Sequence, residues 1–477
     1  MDTAELMYAG TARQAELVRA GEVSARELVE ASLARIAELD PALNAYRVVL
    51  GERALAEADQ ADARRAAGDD RPLLGVPLAI KDVFDLAGEV TTHGTSAHGP
   101  PAREDSELVR RLRRAGAIPV GKTHTPELAF WSFTESATYG PTRNPWDLER
   151  TPGGSSGGAA AAVAAGTVGA STASDGLGSI RIPAACCGLF GLKPGRGRVP
   201  LAPDEDHWHG LTVAGALTRS VLDTALFLDV VADAGVGAAA TGAQTEASFR
   251  AAARRRPDRL QIAVATNAPV GARPATDVVL RAVDSTATLL RQLGHEVVEG
   301  RVEYGPVIGR AVLRALRGVH EEAARLPAPH RLERRMRAAA RLGALVPAAV
   351  VARERAREES IARRLGSVLE RRDVLLMPTI AAPATEVGAL EALGPLAIRF
   401  MEGMRWPGAF TPAWNVTGHP AAAVPAGFSA RALPVSVQLV GHRGDEATLL
   451  SLAAQLEAER PWAGRRPPLS EASGRSA

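Results

Sequence analysis

Long apolar runs are missing from this 477-residue chain, and so is a basic start followed by an apolar core. The alanine-rich stretch from Ala159 to Ala165 is bounded by glycine and falls far short of the ~20 residues a bilayer span needs. Met1-Asp2-Thr3-Ala4-Glu5-Leu6 has no secretory character, which predicts a soluble, cytoplasmic protein. Cysteine is almost absent: the two residues, Cys186 and Cys187, are adjacent and cannot staple distant segments, in keeping with a reducing compartment. Excess charge is lacking as well; a formal net charge of +2 gives no case for nucleic acid or membrane as a partner. Lysine is scarce. Of 56 basic residues only Lys81, Lys122 and Lys193 are lysines. Arginine stays protonated in proteins, whereas a lysine can be neutralised by burial and then act as a base, so a retained lysine marks chemistry that arginine cannot perform.

What is present reads as an ordinary globular balance, 46% hydrophobic and 23% charged, with no repeat and no linker. A single domain over 1–477 is expected. Ser24-Ala25-Arg26-Glu27 has the form of a capping box, with Leu28, Val29, Leu33 and Ile36 following at helical spacing, so residues 1–60 read as a helical arm. Leu78 to Ile80 and Ala117 to Gly121 read as strands, separated by a helix that Asp105-Ser106 can cap. A core rich in glycine and serine occupies about 70–225. Arg/Ala-rich helices fill about 310–372, including Ala338 to Leu345 and Ala352 to Leu369. Strands at Val374 to Met377 and Val435 to Val440 precede a helix from Asp445 to Ala458, and the tail 468–477 is expected to be loose. The alternation predicts an α/β fold with a central mixed β-sheet covered by helices.

Three familiar patterns fail on context. Gly116 to Thr123 has P-loop spacing, but a helix precedes it and its interior is strand-like, the reverse of a phosphate loop. Gly153-Gly154-Ser155-Ser156-Gly157 fits a nucleophile elbow, yet no Asp and His follow in a recognisable setting. His320-Glu321-Glu322 opens like a zinc helix, but Ala324 stands where the second ligand belongs, and His207-Trp208-His209 reads as a polar loop.

A longer constellation remains: Gly75-Val76-Pro77-Leu78-Ala79-Ile80-Lys81-Asp82, Gly153 to Gly158, Asp175-Gly176-Leu177-Gly178-Ser179-Ile180-Arg181 and Gly191-Leu192-Lys193-Pro194. With Gly140 to Trp146, Gly197 to Pro200 and Leu433 to Gly441 in the same order, the chain resembles the amidase-signature family over nearly its whole length. The resemblance implies amide hydrolysis, with Ser179 as nucleophile, Ser155 as a bridging serine on a cis peptide, and Lys81 as base. It calls for no cofactor and no metal, takes a small-molecule amide as partner, and leaves a homodimer open.

The chemistry is coherent in its own right. A serine hydroxyl needs a neighbour to take its proton, and a neutral lysine can do so through a second hydroxyl. Free lysine titrates near 10.4, so working near neutrality requires a shift of roughly 3 units, which burial beside Leu78 and Ile80 can supply. Gly176, Leu177 and Gly178 are expected to turn N–H groups toward one point as an oxyanion hole. Leu177 departs from the family, which usually has glycine there; a glycine-only conformation would not survive, and the side chain narrows the site. Lys193 is expected to be structural, Asp175 and Arg181 a structural ion pair, and the cysteines small buried residues. The acyl pocket is expected around Tyr139, Trp208 and Phe400 to Trp406. Two other readings are a glutaminase subunit of a tRNA-dependent amidotransferase, against which Ile182 stands where glutamine would be expected, and a catalytically silent binding protein.

Overall fold

Apolar runs of four to eight residues assemble into one sheet, and its order decides where the chemistry gathers. The computed structural model describes residues 2–233, 248–389 and 407–469. Apart from a two-residue pair at Glu135–Ser136 and Gly140–Pro141, the strands of the main sheet are β1 (Tyr46–Val49), β2 (Pro77–Lys81), β3 (Ile118–Thr123), β4 (Ala170–Asp175), β5 (Phe190–Lys193) and β6 (Val213–Thr218). They continue with β7 (Gln261–Val264), β8 (Glu296–Glu299), β9 (Val374–Pro378), β10 (Ala421–Phe428) and β11 (Pro434–Gly441). The 11-stranded sheet runs β1-β3-β2-β4-β6-β5-β10-β11-β9-β7-β8. Pairing is mixed: β2 lies parallel to β3 and β4, β4 antiparallel to β6, and β7 parallel to β8 and β9. Because β2 and β4 run the same way side by side, Lys81 at the end of one and the turn after Asp175 at the end of the other emerge at one edge of the sheet.

Local signals hold where they are self-contained. Ser24 and Glu27 cap each other's backbone at the start of helix Ala25–Leu43, and Asp445 caps Glu446–Glu459. The helical arm is interrupted, however: β1 pairs antiparallel with β3 as an edge strand. Asp105 and Ser106 do not cap Glu107–Arg114 with their side chains, because Asp105 accepts from Ala87 N–H and Arg113, and Ser106 Oγ donates to the Asp85 carbonyl. The single helix expected from Ala352 to Leu369 is split into Ala348–Ala356, Glu358–Gly366 and a 3₁₀ turn, Ser367–Leu369. Its break lies at Arg357, whose N–H turns back to the Glu354 and Arg355 carbonyls rather than continuing the α-helical pattern. Most of the tail lies outside the described residues.

The P-loop lookalike is strand β3, wholly buried. A methyl at Gly121 would lie 2.6 Å from the Val48 carbonyl, so this glycine admits the neighbouring strand rather than a phosphate. Lys122 meets Asp82 at 2.9 Å, with both side chains out of solvent. Among the described residues no helix is long and apolar enough to cross a membrane.

Candidate active site

All three lysines are fully buried. Among the described residues, only Lys81 meets serine hydroxyls: its Nζ donates to Ser155 Oγ at 2.8 Å and to Ser174 Oγ at 2.9 Å. The Lys81 N–H is itself held by Thr172 Oγ1 at 2.8 Å, which pins the end of β2 to β4. Burial lowers the Lys81 ammonium to about 7, against an opposing pull from the Asp175 carboxylate. Lys193 is also lowered to about 7 by burial, but its Nζ donates to the Pro194 carbonyl, a structural role.

Ser155 precedes the helix Gly157–Ala164 and is all but inaccessible, and the Gly154–Ser155 peptide is cis. The glycines around it are contact points. A methyl at Gly154 would lie 2.7 Å from Phe133 backbone atoms, and one at Gly158 2.5 Å from His124 N. Thr134 Oγ1 braces the turn, donating to the Gly153 carbonyl at 2.9 Å and accepting from Gly157 N–H at 3.1 Å.

Ser179 sits half-buried in the turn between β4 and the helix Arg181–Cys187. Asp175 shapes that turn. Its carboxylate accepts from Gly178 N–H at 2.7 Å, Ile180 N–H at 3.2 Å, Arg181 Nε at 2.9 Å and Asn415 Nδ2 at 2.8 Å. Burial alone would raise this carboxyl; Arg181, Asn415 and the more distant Lys193 reverse the effect and hold it at about 2. Arg181 also donates to the Thr411 carbonyl, Gln438 Oε1 and Asn415 Oδ1, tying the turn to β11 and its neighbouring helix.

The oxyanion expectation needs correction at one residue. Gly178 N–H is engaged by Asp175 Oδ1 and is not turned toward the cavity. The glycine-only backbone is also at Gly178, with φ 132°, where a methyl would fall 2.2 Å from Thr411 Oγ1. Leu177 has no such φ, so the exchange from glycine imposes no backbone strain there. Its carbonyl accepts from Thr411 Oγ1 at 2.7 Å, and the residue is part of the cavity lining.

That cavity opens on Ser179 between Leu177, Ile182, Trp208, Phe130, Trp131 and Ile308. Among its described lining residues there is no charged side chain. Of the expected pocket residues, Trp208 is present, Tyr139 is not in the lining, and Phe400 to Trp406 lie outside the described residues. Tyr139 instead packs against His124, its ring centroid 5.2 Å away.

Three features were missed. Ser174 is a second hydroxyl on Lys81, and Asn415 and Thr411 brace the turn that carries Ser179 from a segment more than 230 residues away. The only available signal for Ser174 was its place just before Asp175 in the serine-rich core. The zinc-like His320-Glu321-Glu322 and the loop His207-Trp208-His209, each set aside alone, face one another: His207 Nε2 meets Glu322 at 2.5 Å and His209 Nε2 meets Glu321 at 3.1 Å. Asp204, His207 and Glu322 bring ligand atoms within 4.8 Å of one another, but a cation there would have to break the His207–Glu322 contact.

A family model described as Amidase matches residues 27–450. The chain is 48% identical over 472 residues to "Putative amidase AmiB2" of Mycobacterium tuberculosis (strain ATCC 25618 / H37Rv), covering 98% of this chain and 100% of that protein. It is 34% identical over 495 residues to the 6-aminohexanoate-cyclic-dimer hydrolase of Paenarthrobacter ureafaciens, with 98% of each covered. A solved structure of 6-aminohexanoate cyclic dimer hydrolase complexed with substrate superposes with a TM-score of 0.87 at 31% identity, over 97% of this chain and 99% of that one.

Proposed function

Since the chain belongs to the amidase family of amide-hydrolysing enzymes, we propose that it cleaves a neutral, apolar carboxylic amide through an acyl-enzyme on Ser179. Lys81 is the base and Ser155 the proton relay. The observation that carries this reading is the buried Lys81 amine, lowered to about 7 and bonded to Ser155.

In its neutral form Lys81 accepts the Ser155 proton as Ser155 accepts that of Ser179, and Ser179 Oγ adds to the amide carbon. The oxyanion is met by backbone N–H groups at Gly176 and Leu177, with Ser179's own as a further donor. Collapse breaks the C–N bond, and the proton returns through Ser155 to the leaving nitrogen. Water then adds to the ester under the same relay, releasing the carboxylate and regenerating Ser179. Ser174 holds the amine in line with Ser155.

The absence of charge among the described lining residues supports a substrate without ionic groups at the acyl end. It weighs against a glutaminase subunit, whose substrate would bring an ammonium and a carboxylate, and Ile182 puts an apolar wall where glutamine was expected. The engaged Lys81–Ser155 pair weighs against a silent binding protein. Labelling with a fluorophosphonate followed by peptide mass spectrometry tests the assignment. Modification of Ser179, lost in Ser179→Ala with the fold retained, is expected; modification of another serine overturns it.

A further inference from the structure

We propose that Trp208 is a specificity-determining wall of the cavity at Ser179, and that the His207–Glu322 and His209–Glu321 pairs are the clamp that sets it there. The inference rests on the reading of Ser179 as nucleophile and goes on to say which residue limits the size of the group bound beside it.

The backbone gives the first indication. Trp208, His209 and Gly210 all have left-handed φ, at 51°, 56° and 80°. Two successive non-glycine residues in that region are unfavourable, and such turns persist only where neighbours enforce them. Here the enforcement is visible. His207 is bonded through Nδ1 to Thr212 Oγ1 at 2.7 Å and through Nε2 to Glu322 at 2.5 Å. His209 pairs with Glu321, and its carbonyl accepts from Arg314. Glu321, Glu322 and Arg314 all lie on the helix Val307–Arg325, so the turn is strapped to one rigid element.

The strapped turn delivers the indole to a slot cut for it. A methyl at Gly176 would come within 2.8 Å of the Trp208 ring, and one at Gly318 within 2.5 Å. Gly176 belongs to the nucleophile turn and Gly318 to the clamping helix, so the indole is wedged between them. Its N–H donates to Glu322 Oε2 at 3.2 Å, and Phe130 meets it edge-on with ring centroids 5.7 Å apart. Ile308, from the same helix, lines the cavity with it. Trp208 is therefore a fixed wall, and its removal opens space toward the clamping helix. His207, His209, Glu321 and Glu322 are not among the described lining residues and act through Trp208 as positioning residues.

The test compares kcat/KM for neutral anilides whose linear acyl group lengthens from acetyl to hexanoyl. Trp208→Ala is expected to raise the long-to-short ratio by ~10–200-fold, the range of hydrophobic size discrimination, and Trp208→Phe to stay near wild type. Glu322→Gln retains an acceptor for the indole but loses the charge on His207, and should move the ratio the same way by less. Gly318→Ala pushes the indole from the helix side and should favour acetyl; it keeps the inference testable should Trp208→Ala fail to fold. An unchanged ratio in a folded Trp208→Ala, or an equal fall for every acyl length, overturns the specificity role. Failure of the wild-type chain to be labelled at Ser179 is a separate result that sinks the catalytic reading, and the specificity role with it.

Discussion

Lys81 should make the activity switch on with rising pH, with a midpoint near neutrality. An ordinary lysine at pH 7 is neutral in about one molecule in 3,000; one lowered from 10.5 to about 7 is neutral in about half. The shift corresponds to ~5 kcal/mol against charging the buried amine, and raises the population of the competent base by ~10³-fold. If Lys81 is the base proposed above, catalysis needs its neutral form, and kcat/KM for a neutral amide should rise about tenfold per pH unit below 7 and level off above it. Lys81→Arg, which keeps the charge and cannot give up its proton, should lose ~10²–10⁴-fold on the plateau. The same shift has a stability signature of definite sign. Between about pH 7 and 10.5 the unfolded chain binds the proton and the folded chain does not, so stability should rise with pH across that window. Lys81→Met should remove one proton's share of this slope in urea titrations repeated at several pH values, leaving the share of Lys193, which burial lowers to the same extent. A flat activity profile from pH 5 to 7, or an inflection remaining near 10, would refute the argument.

Three further outcomes follow from the same geometry. Asp175→Asn leaves the Arg181 charge buried with its carboxylate partner gone, and should cost ~3–5 kcal/mol in denaturant unfolding; a loss under about 1 kcal/mol would show that the pair does not organise the turn. Gly178→Ala, at φ 132° and against Thr411, should lower the melting temperature and abolish Ser179 labelling, whereas Leu177→Gly should leave labelling intact. Cys186 and Cys187 are buried; burial pushes the Cys186 thiol up to about 12, and burial together with the neighbouring Cys186 also raises Cys187 well above the usual thiol range. An aromatic disulfide reagent should find neither in the folded protein and both after unfolding; rapid reaction of the native protein would contradict their burial.

Much of the fold was legible because its signals are local. The Ser24 capping box needs only Glu27, three residues away, and Lys81 ends a strand that Leu78 and Ile80 already announce. Misreadings occurred where a distant partner overrode a local preference. Tyr46 to Val49 is a strand because β3 offers it an edge, and Asp105 abandons its cap for Ala87 and Arg113. The long helix breaks at Arg357, where Glu354 and Glu358 on either side pair with Arg310 and Arg314.

The candidate site divides along the same line. Residue chemistry by itself determined the cast: the retained lysines, the two serines in their glycine frames, the Asp175–Arg181 pair and the intrusion of Leu177. Tertiary structure alone decided which lysine meets serine hydroxyls, because burial lowers Lys193 as far as Lys81 and the parallel pairing of β2 with β4 sets Lys81 beside Ser174, with Ser155 packed against both. It also decided that the glycine-only backbone falls at Gly178 rather than at position 177. The join between two rejected motifs, His207 with Glu322 and His209 with Glu321, spans more than 110 residues. No periodicity or spacing carries such a contact, since only packing brings those segments together.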